Sequence, residues 1–308
     1  MIARDSLFFR QARLLLQLLP VIAQDRRFAL KGGSAINFFI RKMPRLSVDI
    51  NLTYLPLDSR QSSQQAISEG LTEMARQISG KFPAMRVVRL PGAGMKGLAK
   101  LSIRCEDAQI LIEPSLIIRG SVFPVRERNL SAQASAFFEM SATMQILSIG
   151  DLYGGKLCAA LDRQHPRDFF DLLILLENEG LTDEIRKAFV VYLACSNRPM
   201  SEILAPKETD FSAEFESQFR GMAKREVTCR ELVQVRKKVI AALRSALTVP
   251  ERQFLISIKS GIPKWDLLGI PEIERLPAIR WKLDNIKRME KTEHHAAITK
   301  LARALELK

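Results

Sequence analysis

Gly32, Gly33 and Ser34 lie between the apolar Phe28-Ala-Leu30 and the apolar run AINFFI, where a short strand should turn into a helix. Backbone N–H groups at such a turn face outward at the positive end of a helix dipole, an arrangement that binds phosphate. Glycine lets a triphosphate approach the backbone closely, and the Ser34 hydroxyl adds a donor. An isolated GGS is more often only a turn with an N-cap. About one helix length later stands Asp49-Ile50-Asn51. Residues i and i+2 of a strand project from one face, so Asp49 and Asn51 could share one metal ion. Hard divalent cations such as Mg²⁺ or Mn²⁺ take carboxylate oxygens and substrate phosphates, and clamp the attacking and leaving oxygens of phosphoryl transfer. A third carboxylate from a neighbouring strand would complete such a site, and Glu113 is the candidate. Taken without the other motifs, Glu113 reads as a sheet-edge glutamate in an ion pair.

The elements that must position these groups follow from hydrophobic periodicity. Leu14, Leu15, Leu18 and Leu19 predict a first helix ending near Pro20 or the Asp25-Arg26-Arg27 cluster. The alternation of Ser47 to Tyr54, bounded by Pro44 and Pro56, predicts a strand. A helix is expected over 59–79, then strands over 85–90, 98–104 and 109–118, separated by PGAGMKG and CEDA and most simply joined as an antiparallel meander. A Ser/Ala-rich connection leads to a strand over 144–147, and from Ile149 onward the periodicity is helical, with breaks at Asn197-Arg-Pro199, Pro206, Pro250 and Gly261-Ile-Pro263. The fold class is therefore mixed α/β (α+β) followed by a mainly helical region, and neither repeats nor low-complexity tracts appear.

With those elements in place, the run KGGSAINFFIRKMPRLSVDINLTYLP resembles the GG[ST] plus D-h-[DE] signature of DNA polymerase β-type nucleotidyltransferases, and in particular the AbiEii/AbiGii toxin family. DLYGGKLCAALDR resembles that family's lysine helix, with Lys156 as the key residue and Arg163 two turns on. HPRDFFDL resembles its final motif, with Asp168 as the essential acid, and the stretch from Glu251 to Ile286 is also similar, so the resemblance spans roughly residues 28 to 290. It implies a mixed sheet with flanking helices, a nucleotidyltransferase domain over 1–205 and a helical C-terminal domain over 206–308. It also implies a divalent cation on Asp49, Asn51 and Glu113, and a nucleoside triphosphate on Gly32, Gly33, Ser34, Lys156 and Arg163. Asp49, Lys156 and Asp168 would be the catalytic residues. The expected activity moves a nucleotide from NTP to an RNA, with the 3′ end of the tRNA acceptor stem as target, in the toxin half of a toxin–antitoxin or phage-defence pair.

The residues themselves add a check. Lys156, Ala160 and Arg163 fall at i, i+4 and i+7, so one helix face carries two cations around a small residue that leaves room for a ligand; a solvated face is the commoner fate of such lysines. Asp168 and Asp171 are i and i+3, and with Arg167 they could make surface pairs. By the resemblance, Asp168 instead faces the site and orients Lys156 or the attacking hydroxyl. The departure is Asn51, where the family carries an aspartate. A neutral amide oxygen attracts a dication less and cannot act as a base. A variant that works with Asp49 and Glu113, a weakened enzyme, an inactive nucleotide- or RNA-binding protein, and a substitution that keeps a toxic protein producible all fit the sequence. A protein side chain as acceptor is a further alternative.

Two other matches lack their context. Gly92-Ala-Gly94-Met-Lys-Gly97 fits G-x-G-x-x-G, but LAKLSIRC after it reads as a strand, so a hairpin loop is expected. His165-Pro-Arg-Asp168 has no kinase motifs around it, and His294-His295 has no ligand spacing.

Composition narrows the setting. Lys and Arg number 47 against 34 Asp and Glu, a formal charge of +13, which favours anionic partners. Arg76, Lys81, Arg86, Arg89, Lys96, Lys100 and Arg104 follow one another without an acid between them and predict a positive sheet edge suited to a nucleic-acid backbone, or simply a solvated basic face. No aromatic platform for stacking single strands stands out, so recognition of duplex ends or shape is expected. Four scattered cysteines without a C-x-x-C pair indicate reduced thiols in the cytoplasm. The N-terminal stretch carries charge within its apolar run, an amphipathic helix and not a signal peptide, and no run approaches the roughly 20 residues of a membrane span.

Overall fold

Alternation and short apolar runs in the first half of the chain produce, among the described residues, a seven-stranded mixed sheet in the order Arg86–Pro91, Leu98–Cys105, Ala108–Pro114, Ile50–Tyr54, Phe28–Lys31, Thr143–Ile146, Arg126–Asn129. The computed structural model describes residues 2–92 and 97–307. Residues 93–96, within the expected hairpin loop and including Lys96 of the basic run, lie outside the described residues. The chain divides into two compact units, Met1–Ser148 with Arg220–Glu226, and Ile149–Phe219 with Val227–Lys308.

In the first unit the order is α1 (Leu7–Ile22), β1 (Phe28–Lys31), α2 (Gly32–Ala35), β2 (Ile50–Tyr54), α3 (Arg60–Lys81), β3 (Arg86–Pro91), β4 (Leu98–Cys105), β5 (Ala108–Pro114), β6 (Arg126–Asn129), α4 (Ala132–Phe138) and β7 (Thr143–Ile146). The expected meander is present: β3 pairs antiparallel with β4, and β4 with β5. Strand β5 then runs parallel to β2, β2 antiparallel to β1, and β1 parallel to β7. Helices α1 and α3 pack against this sheet. Ala108, Ile110, Ile112 and Pro114 of β5 are buried, whereas Gln109, Leu111 and Glu113 alternate with them and stay at least partly exposed.

Several boundaries depart from expectation for identifiable reasons. Helix α1 runs through Pro20 to Ile22, because burial of Leu18, Leu19, Val21 and Ile22 outweighs the single hydrogen bond a proline removes. The short helix after GGS continues directly into a π-helical turn, Ile36–Ile40, whose first four residues are buried. Strand β2 begins at Ile50 and not at Ser47, and just before it the Asp49 carbonyl accepts from the Ser34 hydroxyl. Strand β5 stops at Pro114, which has no N–H to extend the ladder. Both β6 and α4 occupy what the sequence offers only as a connection. The edge strand RERN has no apolar alternation to read, and α4 is held by a Ser131 cap and by Phe137 and Phe138 packed on Phe9.

The second unit is helical throughout, as its periodicity predicts. It comprises α5 (Ile149–Arg163), α6 (Pro166–Glu177), α7 (Asp183–Cys195), α8 (Met200–Leu204), α9 (Ser212–Gln218), α10 (Cys229–Ala246), α11 (Val249–Lys259), α12 (Pro277–Lys287) and α13 (Lys291–Ala304). Helices α5 and α7 pack at Gly154, where a Cβ would stand 2.7 Å from both Ala188 Cβ and the Phe189 backbone nitrogen. Thr228 and Thr248 begin α10 and α11 with reciprocal capping boxes to Glu231 and Glu251. Among the described residues, no helix is long and apolar enough to cross a membrane.

Candidate functional site

In the first unit, the glycine turn is built by conformation and by close approach. Gly32 has φ +71°, a left-handed geometry that only glycine adopts without strain, and it lets β1 end and α2 begin within one residue. A Cβ on Gly33 would lie 2.7 Å from Nη2 of Arg45 and 3.0 Å from Oγ of Ser47, so this position admits no side chain unless they shift. Arg45 is 2% exposed and donates from Nη1 to the Leu46 carbonyl at 2.7 Å. Nothing in the sequence distinguishes it from the other 46 basic residues; its role emerges only from packing.

Ser34 is fully buried. Its hydroxyl donates to the Asp49 carbonyl at 2.5 Å and stands 3.0 Å from the Ser47 hydroxyl. The sequence offered this hydroxyl as a phosphate donor; in the fold it ties the glycine turn to the segment carrying Asp49.

Register places the remaining groups side by side. Lys31 of β1 pairs with Asn51 of β2, and Asn51 pairs with Glu113 of β5. Because paired residues in adjacent strands project to the same face, Lys31, Asn51 and Glu113 form one row across three strands. The turn abuts that row, since a Cβ on Gly32 would stand 3.6 Å from Cβ and Nδ2 of Asn51. On the far side, Lys100 of β4 reaches Glu113 with Nζ 2.5 Å from Oε1, both side chains about two-fifths exposed. Glu113 therefore sits in the interior of the sheet order and also makes an ion pair, so it combines parts of both sequence readings. The donor set of two carboxylates, Asp49 and Glu113, with the Asn51 amide oxygen consists of hard oxygens of the type Mg²⁺ or Mn²⁺ accepts. Among the described residues no group of three or more His, Cys, Asp or Glu is placed to hold a metal, so any such ion here would rely on the amide.

The second unit holds a buried charge cluster on α5 and α6. Lys156 Nζ lies 2.7 Å from Asp168 Oδ1 and 2.9 Å from Asp171 Oδ2, with all three side chains at most 5% exposed. Arg163 grips the same Asp168 through Nε at 2.6 Å and Nη2 at 2.9 Å, while its own side chain is 58% exposed. Asp168 and Asp171 are thus neither surface partners nor spare acids, and Ala160, which the spacing offered as room for a ligand, is itself fully buried. Burial alone would raise the Asp168 carboxyl; the charges of Lys156 and Arg163, with hydrogen bonds from both, outweigh it and hold the group well below the usual carboxylate range. Nearby, His165 caps α6, accepting from the Arg167 N–H at Nδ1, which accounts for the residue without any metal. Asp151, in the first turn of α5, accepts from the buried Tyr192 hydroxyl at 2.7 Å. No local pattern in the sequence signals this contact, which joins residues 41 positions apart.

On the open face of the first unit's sheet, Arg86 and Arg104 are register partners on β3 and β4, with Arg104 opposite Gln109 on β5. The cation run is not wholly unpaired: Arg76 binds Glu73 and Lys100 binds Glu113.

Against known proteins, the family described as nucleotidyl transferase AbiEii toxin, type IV toxin–antitoxin system, matches residues 13–249. No curated protein matches in sequence. In structure, the chain is similar to MenT4, a nucleotidyltransferase toxin from Mycobacterium tuberculosis H37Rv, with TM-score 0.60 over 91% of this chain and 93% of that one, at 15% identity. At that identity the likeness shows the fold. A second solved structure, from H. pylori, aligns over 76% of this chain and 93% of its own at TM-score 0.43 and 14% identity, too loosely to carry an argument.

Proposed function

From the premise that this chain belongs to the AbiEii nucleotidyltransferase toxin family, we propose that it transfers a nucleoside monophosphate from an NTP to the 3′ end of an RNA, with tRNA as acceptor. Nucleotidyltransferase, toxin of a type IV toxin–antitoxin system, NTP substrate and an antitoxin partner follow from the family itself. The acceptor, the metal and the residue roles are the proposal.

The observation that carries it is the register of Asn51 against Glu113, with the Gly32 turn 3.6 Å from Asn51 and the Asp49 segment tied to Ser34. Asp49, Asn51 and Glu113 would hold Mg²⁺ or Mn²⁺, which when bound would neutralise charge on the phosphates and lower the pKa of an attacking hydroxyl. The backbone of Gly32 and Gly33 would cradle the triphosphate, with Ser34 keeping the turn in register with Asp49. In the second unit, Lys156 and Arg163 are the cations that the family resemblance assigns to phosphate, and Asp168 would fix both in place. The acceptor hydroxyl attacks the α-phosphate, the bond to the β-phosphate oxygen breaks, and pyrophosphate leaves with that electron pair; positioning and charge supply most of the acceleration. We assign this catalysis to residues 1–205, with 206–308 as the helical C-terminal domain. Arg86 of β3 and Arg104 of β4 share a face with Glu113 and suit a phosphate backbone, which favours RNA. Free cysteines fit action in the cytoplasm, and phage defence is the physiological setting we infer.

Asn51 and the Lys100–Glu113 pair favour a second reading, an enzyme held at low activity, because one ligand is neutral and another is already charge-paired. The test is purified protein with each labelled NTP, Mg²⁺ or Mn²⁺ and total tRNA. Label retained on RNA, lost with Asp49→Ala and removed by ribonuclease, supports the proposal. Label that survives ribonuclease on protein would overturn the RNA acceptor, and nucleotide binding without transfer would favour the weakened state.

A further inference from the structure

Within the second unit, and apart from the Lys156 cluster, a cavity of about 360 Å³ opens between the end of α7, the start of α8, and helices α11, α12 and α13. This falls within the roughly 300–1,000 Å³ of small-molecule sites. Its lining combines Lys259 and Lys282 with the amides of Asn197 and Asn285, the indole of Trp281 and the thioether of Met289.

The two lysines are what needs explaining. Lys282 donates to the Ser196 carbonyl, and Lys259 Nζ lies 3.4 Å from the Met289 sulfur, a weak acceptor. Among the described residues neither makes an ion pair, although the third lysine at the wall, Lys300, binds Glu202 at 3.2 Å. Burial and the mutual repulsion of the pair push Lys282 down to about 8, and burial also lowers Lys259. An anion entering between them would give both lysines the acidic partner that neither has among the described residues. Beside them Trp281 offers a flat ring, and two amides offer both donors and acceptors.

We propose that this cavity binds a mononucleotide, its phosphate between Lys259 and Lys282 and its base against Trp281, with Asn197 and Asn285 reading the base edge. A site for phosphate alone would have no use for the indole and amides, and a cavity of this volume suits a small molecule.

The chain has two tryptophans, so Trp265→Phe leaves Trp281 as the reporter. In that full-length protein, AMP should change Trp281 fluorescence saturably, and inorganic phosphate should bind at least tenfold more weakly. Lys259→Gln should weaken AMP by about tenfold, whereas Asp49→Ala should leave the titration unchanged. Lys282 also contacts the end of α7, so Lys259→Gln is the primary variant, with circular dichroism confirming its fold. The proposal is overturned if AMP gives no saturable change, if Lys259→Gln leaves the titration intact, or if Asp49→Ala abolishes it. It is equally overturned if inorganic phosphate binds as tightly as AMP, or if a short RNA saturates the same signal far below the AMP concentration.

Discussion

Asn51 stands between Lys31 and Glu113 in the strand register, at the position where a third carboxylate would complete the row. Replacing it with aspartate adds a formal charge beside Asp49 and Glu113 without changing shape. Asn51→Asp should raise transfer to RNA by tenfold or more in the labelling assay; an unchanged rate would mean that the amide already serves as ligand or that this row is not the site. Lys156 presents a different balance. Removing it as Lys156→Met takes a cationic partner from both buried acids, Asp168 and Asp171, and breaking such a pair typically costs about 3–5 kcal/mol. Urea unfolding should report that loss alongside the loss of activity. The GGS and D-h-N patterns were legible because i, i+2 spacing on a strand and glycine before a helix have fixed geometric meaning. Lys100 and Arg45 were not, because their contacts with Glu113 and beneath Gly33 depend on register and packing that no local pattern encodes.

At the scale of elements, two glycines test how the structure holds its parts. Gly32→Ala forces φ +71° on a residue with a Cβ, and the space beside it is ordinary contact at 3.6 Å, so the cost should be the backbone strain of about 1–2 kcal/mol. Gly154→Ala meets Ala188 and the Phe189 backbone at 2.7 Å, so α5 and α7 must separate. Its cost should be the roughly 1–3 kcal/mol of overpacking, measured as a lower denaturation midpoint. Most strands and helices were legible from alternation and 3.6-residue periodicity. The edge strand β6 was not, because a sequence of Arg, Glu, Arg and Asn shows no buried face and is recruited by pairing with β7. Nor was the start of β2, next to which a Ser34–Asp49 hydrogen bond joins residues 15 positions apart.

For the whole molecule, charge governs pH and salt behaviour. Asp168 is held below its unfolded value near 3.8, so the stability it contributes is complete above about pH 4 and is lost as pH falls further toward its folded value. Acid titration of unfolding should therefore steepen below pH 4 in the wild type, and Asp168→Asn should remove that component. A net charge of +13 and the arginines of β3 and β4 predict that tRNA labelling falls with salt. Arg86→Glu with Arg104→Glu should raise the KM for tRNA more than that for NTP; equal effects on both would argue against an acceptor surface there.

By itself the sequence determined the family, the mixed α/β character followed by helices, and the residue types available for phosphate and metal, because these rest on local periodicity and short-range spacing. The tertiary structure alone decided that Ser34 spends its hydroxyl on Asp49, that Glu113 is shared with Lys100, and that Lys156 is buried between two aspartates. Each of those outcomes is set by which atoms burial brings within hydrogen-bond reach, and that distance is fixed only when separate stretches of chain pack together.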